Sequence, residues 1–405
     1  TAQDQTPAAS LIAAGRTAEA EAIVARLRAV DPPDLQTLFL SGMLHLGAGR
    51  YDKAAEEFRL MLTRDPSLLR PRLELARALY LNRDYESARY HFEQVLATPL
   101  PDTVRSNVLG YISDIRTRVP SFGISVDIVS DSNPRSATSS RTVEAFDRPF
   151  VLSDDSRAQH KYGVQISAQA KFPLPSNPDW YAAGYVENYD YPGRDLDQTY
   201  LQLIGGRHFE WGTQEVNVEL GGHYGAYQGT DLYRGPVGRL SYSARLRPNM
   251  WGNVTLDARE LEYQNRGYSQ LNGWQYAESV ELRWAASTSA MLVPNVFFIQ
   301  RDAREPAYAF DAFGLGVRYG QEWTGGWLTQ LTAQYSKFDY GGIEFPFNKV
   351  RDDEEWRTEL SIAHRQFRLY GFVPRIILGY VDHRSNINLY SFDRFYVRVG
   401  VTKDY

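Results

Sequence analysis

Charged, imidazole and hydroxyl side chains are the groups with which this chain could do chemistry, because its 405 residues contain no Cys. Without a thiol there is no disulfide framework, no Cys nucleophile and no sulfur ligand for a metal. The seven His (His45, His91, His160, His208, His223, His364 and His383) are scattered and show no metal-ligand spacing. Were His208 and His223 to share one enclosed face, each would be expected to hydrogen-bond a neighbouring carboxylate. The run Asp352-Asp353-Glu354-Glu355 has the charge to attract Ca²⁺, but four acids in a row read more simply as a solvated loop. No nucleophile elbow, phosphate loop or dinucleotide fingerprint is present. The chain is therefore read as a non-enzyme that needs no cofactor and no metal.

Other charges come in closely spaced pairs of opposite sign. Asp257 with Arg259, Glu281 with Arg283 and Arg357 with Glu359 stand two apart, and Arg318 stands four before Glu322. On a strand, residues two apart share a face, where opposite charges can pair with each other and with neighbouring strands. If these faces line a closed barrel, a lumen of mixed sign is a narrow polar channel or a plugged wall, not an ion-selective pore.

The elements that must position these residues begin after Pro120, where apolar residues alternate with polar ones. Trp274, Tyr276, Val280, Leu282 and Trp284 fall on one face of a segment, and Gln275, Ala277, Ser279, Glu281 and Arg283 on the other. Phe313, Leu315, Val317 and Tyr319 oppose Gly314, Gly316, Arg318 and Gly320 in the same way. Segments of this kind start near residues 122, 159, 179, 197, 213, 232, 250, 272, 289, 308, 325, 352, 368 and 391. That predicts about fourteen antiparallel strands, an even number as single-chain bacterial barrels require. Short connections alternate with longer ones, among them Asp131–Arg157, Gln264–Gly273 and Phe338–Asp353, and His364–Gln366 is expected to be a short turn. Six of the eight Trp (Trp180, Trp211, Trp251, Trp284, Trp323 and Trp327) lie beside short connections, where one aromatic girdle would be. Phe395, Val397, Val399 and Val401 alternate towards a terminal Tyr405, the kind of closing strand that barrel-assembly machinery recognises.

The first 118 residues have a different period. Ala20, Ala54 and Ala88 are spaced by 34, as are Val24, Phe58 and Phe92; Gly42 aligns with Ala76, Tyr51 with Tyr85, and Asp31-Pro32 with Asp65-Pro66. This is the tetratricopeptide period, in which small residues let paired helices approach and a proline ends the second helix. Residues 1–118 are read as an α-solenoid of about three repeats with a capping helix from Asp102 to Arg118. Residues 119–405 are read as the barrel. The first helix of each repeat lines a concave groove suited to a polypeptide, which predicts Phe39, Met43, Leu46, Arg70, Leu73, Arg77 and Tyr80 as client contacts. Packing against the barrel is the alternative use of the same residues.

Composition agrees with an envelope protein. Tyr (27) and Trp (8) are abundant, and no window holds the ~18 consecutive apolar residues a membrane helix needs. A net charge of −5 argues against nucleic-acid binding. The fold class is thus α plus transmembrane β, contacting outer-membrane lipid, in a chain whose signal segment is expected to have been removed.

Tandem repeats, a linking helix and a fourteen-strand barrel together resemble the Slam family, the surface lipoprotein assembly modulators. The similarity is most specific at Gly123-Ile-Ser-Val-Asp127, at Ser130-Asp131-Ser132-Asn133, and at Ser385-Asn386-Ile387-Asn388-Leu389-Tyr390 before the last strand. It departs at Tyr405, where Phe is common, and in its short external loops. The resemblance implies protein transport. The repeats, in the periplasm of a Gram-negative cell, receive a client, either a surface lipoprotein or a secreted haemophore-like protein. The client crosses through the lumen or through the seam between the first and last strands. Barrel-assembly machinery and periplasmic chaperones are expected partners, and a monomer is the expected state. A different reading is an exopolysaccharide export barrel with a tetratricopeptide scaffold; such proteins usually carry longer solenoids.

Overall fold

A computed structural model describes residues 2–29, 32–117, 119–193, 195–364, 367 and 372–403. It opens with helices α1 (Ala2–Ala13), α2 (Thr17–Arg28), α3 (Leu35–Gly47), α4 (Tyr51–Arg64), α5 (Leu69–Leu81), α6 (Tyr85–Val95) and α7 (Asp102–Thr117). The turns within the three hairpins are equivalent. Gly15 (φ +72°), Gly49 (φ +73°) and Arg83 (φ +64°), spaced by 34, each take the left-handed backbone that reverses the chain after one helix and before the next. Asp34 starts α3 by accepting a hydrogen bond from the Thr37 N–H at 2.6 Å. The repeat-defining residues Ala54, Phe58, Ala76, Ala88 and Phe92 are fully buried beside Leu38, Leu62, Leu75 and Leu79, so the 34-residue period is the period of the core. Asp31 and Arg118 lie outside the described residues.

The barrel follows directly. It comprises β1 (Ser121–Asp131), β4 (Lys161–Leu174), β5 (Asn177–Asp190), β6 (Gln198–Trp211), β7 (Gln214–Tyr227), β8 (Thr230–Arg247), β9 (Met250–Tyr263), β10 (Gly273–Ala285), β11 (Ala290–Arg301), β12 (Phe310–Glu322), β13 (Trp327–Glu344), β14 (Lys349–His364), β15 (Val373–Ser385) and β16 (Phe392–Thr402). Each strand pairs antiparallel with its neighbours, and β1 pairs with β16, which closes a fourteen-strand barrel. The strands β2 (Thr142–Ala145) and β3 (Arg148–Val151) form a separate hairpin within the first long loop.

Alternation along β10 is regular: Trp274, Tyr276, Val280, Leu282 and Trp284 are exposed outward, with Glu278 the one charge on that face, while Gln275, Ala277, Ser279, Glu281 and Arg283 are half-buried inward. Outward apolar residues recur around the wall, at Leu203, Leu220, Val296, Phe313, Leu331 and Trp356 among others. This is the face that hydrocarbon covers, and closing the sheet leaves no edge for lipid to meet. Among the described residues no helix is long and apolar enough to cross a membrane.

Three sequence expectations need correction. The segment Phe338–Asp353 is not a long loop: β13 and β14 continue past it to a short turn after Glu344. On the outward face at this end Lys337 pairs with both Asp352 and Glu354 beyond the apolar band, and this polar outer face reads as a loop in sequence. The acidic run is therefore strand, with Asp353 and Glu355 turned inward. Lastly, five of the six Trp at the short-turn end point outward, but Trp251 is only 7% exposed and packs into the core of the helical domain. β14 ends at His364 and the next strand, β15, begins at Val373; Arg365 and Gln366 of the expected short turn and the strand start expected near 368 lie outside the described residues, as does Tyr405.

Candidate functional site

The helical domain is seated in the short-turn mouth of the barrel. Arg72 of α5 is fully buried and grips Glu322 at the end of β12 through both ends of its guanidinium, with Nη2–Oε2 2.6 Å and Nη1–Oε1 3.1 Å. Nη2 also donates to the Pro66 carbonyl at 2.7 Å. Burial opposes the charge on Arg72, but the Glu322 carboxylate beside it prevails and leaves its pKa raised. A second tie joins Arg283 of β10 to the buried Glu93 of α6 at 2.8 Å. A third joins Ser113 of α7 to Glu210 of β6 at 2.8 Å. Thr288, in the β10–β11 turn, donates to the Ser67 carbonyl at 3.4 Å. Trp251 and Ala285 supply the apolar part of the junction.

This docking sets α6 across the lumen. Glu86 and Arg89, paired at 2.8 Å, line all three main cavities around it. One of about 410 Å³ lies between α6 and the β10–β13 side, with Arg283, Arg318 and Gln330 in its wall. The largest, about 670 Å³, lies between α6 and the β4–β9 side and reaches Tyr185, Tyr200 and Arg239. The third, about 290 Å³, borders Lys171, Trp251 and Glu281.

The lumen residues singled out from sequence all face inward, but their pairing differs from the same-strand scheme. Asp257 and Arg259 do pair, at 2.6 Å. Asp257 also holds Arg239 of β8 at 3.1 Å, and Arg239 reaches Glu219 of β7 at 3.5 Å. Arg283 and Glu322 are instead taken by the helical domain. Arg357 pairs with Glu355 at 2.9 Å, while Glu359 binds Arg398 of β16 and accepts from the Tyr396 hydroxyl at 2.8 Å. Glu281 and Arg318 each border a cavity. Cross-strand partners stand about as close as same-strand ones, so the sequence places the charges without choosing among partners.

The imidazole expectation is corrected too. His208 bonds the Asn217 side chain at 2.9 Å and His223 the Glu260 backbone carbonyl at 2.7 Å, so neither relies on a carboxylate hydrogen bond. The imidazole that does sit between carboxylates is His383, 3.0 Å from Asp353 and 3.1 Å from Glu355.

In the helical groove, Arg70 and Arg77 are exposed and both approach Glu74, at 2.6 and 4.0 Å. Leu46 is buried, Phe39 packs on Phe58 with centroids 5.9 Å apart, and Met43 and Leu73 are half-buried. Tyr80 closes the groove's end: its hydroxyl bonds Asp114 of α7 and its ring meets Tyr111 at 4.8 Å. Burial and the Asp114 carboxylate push the Tyr80 phenol well above its ordinary range. Sequence reading missed the docking residues Arg72 and Glu93; Arg72 carries a signal, a charge where the preceding repeat has Leu38, whereas Glu93 stands where that repeat has Arg59 and carries none.

At the seam, β1 and β16 pair from Ser125 opposite Thr402 to Asp131 opposite Tyr396. On the lumen side, fully buried Asp131 binds Arg394 of β16. Asp127 binds Arg375 of β15 at 2.7 Å, across the intervening β16. Gly400 makes that reach possible, since a Cβ there would come within 2.5 Å of the Asp127 carboxylate.

Comparison with known proteins bears on the whole assembly. A model described as surface lipoprotein assembly modifier matches residues 121–405, and a tetratricopeptide repeat model matches residues 8–68. The surface lipoprotein assembly modifier of Moraxella catarrhalis is 23% identical over 367 residues, covering 88% of this chain and 71% of that one. Surface lipoprotein assembly modifier 1 of Neisseria meningitidis is 26% identical over 408 residues, covering 94% of this chain and 80% of that one. The surface lipoprotein assembly modifier of Pasteurella multocida is 24% identical over 385 residues, covering 88% of this chain and 74% of that one. With a repeat domain, a closed fourteen-strand barrel that crosses the outer membrane and a family match along most of its length, the chain belongs to the surface lipoprotein assembly modifier family.

Proposed function

We propose that this protein takes a client polypeptide from the periplasm by way of its helical domain and moves it across the outer membrane. The client class is the one named in its relatives' descriptions, a surface lipoprotein, and a secreted soluble protein would suit the same machinery. The observation that carries the reading is the seating of the helical domain in the barrel mouth, with α6 across the lumen. Short turns of such barrels generally face the periplasm, which supports a periplasmic helical domain, on the side where an exported chain first appears. A client held on the solenoid then starts its crossing already at the pore. The step is one of binding and passage, so no side chain is assigned a bond-breaking role. Periplasmic chaperones delivering unfolded clients, and the barrel-assembly machinery, are the partners the reading invites.

The test is removal of residues 1–118, with barrel insertion checked by heat-modifiable migration. Protease-shaved surface lipoproteins are then counted in cells that rely on this protein. Loss of display with an inserted barrel is the expected result. Display at the level of the intact chain would overturn the proposal.

A further inference from the structure

The inner wall between β5 and β9 carries a feature that the mixed charges alone do not require. Tyr185, Tyr200, His223, Tyr233 and Tyr263, one from each of five consecutive strands, stand side by side, with His223 buried (3% exposed) between the tyrosines, whose rings are the ones a ligand can meet. Their centroid separations are 6.0, 6.3, 5.7 and 5.6 Å. The tract begins in the 670 Å³ cavity beside α6 and continues 6.4 Å on to Tyr268, in the loop that follows β9. It therefore runs across the inner wall in the half of the barrel nearer the long loops, from that cavity to the long-loop end. The wall is shaped to lay at least one of these rings flat: Tyr233 lies over Gly225, where a Cβ would stand 2.5 Å from the ring.

We propose that this tyrosine tract is a binding path for an extended, unfolded polypeptide, so that the client travels through the lumen and not through the seam. This rests on the translocator reading above. The chemistry favours a polypeptide over a polysaccharide. Successive rings are inclined to one another by 54°, 43°, 45° and 64°, which makes side-chain-sized clefts and not the level surface along which sugar rings slide. Beside the tract, Glu219, Arg239, Asp257 and Arg259 neutralise one another, so the path does not select a charged polymer of either sign. The Gln202 amide, bonded to the Tyr200 hydroxyl at 2.8 Å, sets backbone-like donors and acceptors next to the rings. Ring faces for apolar side chains, with amides and hydroxyls for the peptide backbone, give sequence-tolerant binding. The seam, by contrast, is held on its inner side by the Asp127–Arg375 and Asp131–Arg394 pairs.

The experiment uses the full chain in detergent micelles and a fluorescein-labelled 20-residue Gly-Ser peptide with Phe at every fourth position, read by anisotropy. The double variant Y200L/Y233L is expected to bind about tenfold more weakly than the intact chain, the loss of two ring contacts. Y200F/Y233F, which keeps the ring faces, should stay within about threefold and guards against a merely misfolded wall. Equal binding by the intact chain and Y200L/Y233L would overturn the proposal, and so would displacement of the peptide by a glucose hexasaccharide. The two readings fail separately. Unchanged peptide binding in Y200L/Y233L alongside lost surface display on removing residues 1–118 would leave a translocator with another route.

Discussion

The helical domain and the barrel obey the same physics in opposite solvents. In the first, Phe58, Leu75 and Phe92 are sealed inside and charges such as Arg70 and Arg77 lie outside; in the second, Leu203, Leu282 and Leu331 face outward and Asp257 and Glu359 face in. Where the two meet, neither convention suffices. The barrel offers a polar rim continuous with its lumen, so a helical domain with an apolar docking face would strand buried carboxylates there. The chain answers with Arg72 and Glu93, which complete Glu322 and Arg283, and takes Trp251 and Ala285 into its own core as apolar contact. The lesson is that the junction is held by charge matching more than by a shared core.

The largest expected effect breaks that junction. R72A leaves Glu322 buried without its cation, at a cost of roughly 3–5 kcal/mol. The measurable outcome is faster proteolysis of the helical domain while the barrel keeps its heat-modifiable migration; equal protection would mean that the charge pair does not hold the domains. Next, L331R puts a cation on the lipid side of β13, well in from the girdle residue Trp327, and should cost about 2–4 kcal/mol if it sits near the membrane midplane. Refolding titrations into lipid vesicles would show it, and the helical domain should be untouched. A smaller effect sharpens the repeat side of the comparison. Arg83 holds the left-handed turn that Gly15 and Gly49 hold in the other repeats, so R83G should raise the melting temperature of the helical domain by relieving about 1 kcal/mol of strain. Smallest is R357A: this lumen side chain is half exposed and pairs only with Glu355, and its loss should change barrel stability by less than about 0.5 kcal/mol. A large loss there would show that the lumen is drier than its solvated charges suggest.

Much of this was legible because both regions are built on periods. The 34-residue spacing of Ala20, Ala54 and Ala88 located the repeat core, and the alternation around Trp274–Trp284 located the wall, its inward charges and nearly every strand start. Legibility failed where a residue's environment came from another element. Arg72 and Glu93 lie 250 and 190 residues from their partners. Trp251 follows the girdle pattern yet faces the helical domain, and Lys337, Asp352 and Glu354 looked like loop because strands continue past the lipid.

Local periodicity, then, determined the two solvents this chain would meet: a side-chain period of 34 residues stacks helices around their own core, and a period of two gives a sheet one lipid face and one polar face. Only the tertiary structure decided that the solenoid sits in the mouth of the barrel, that α6 crosses the lumen, and that five aromatic residues from five strands join into one tract. Those facts depend on which surfaces are brought together after each region has satisfied its own pattern. Contact between distant segments is set by matching charge and shape in three dimensions, and neither leaves a repeat in the sequence.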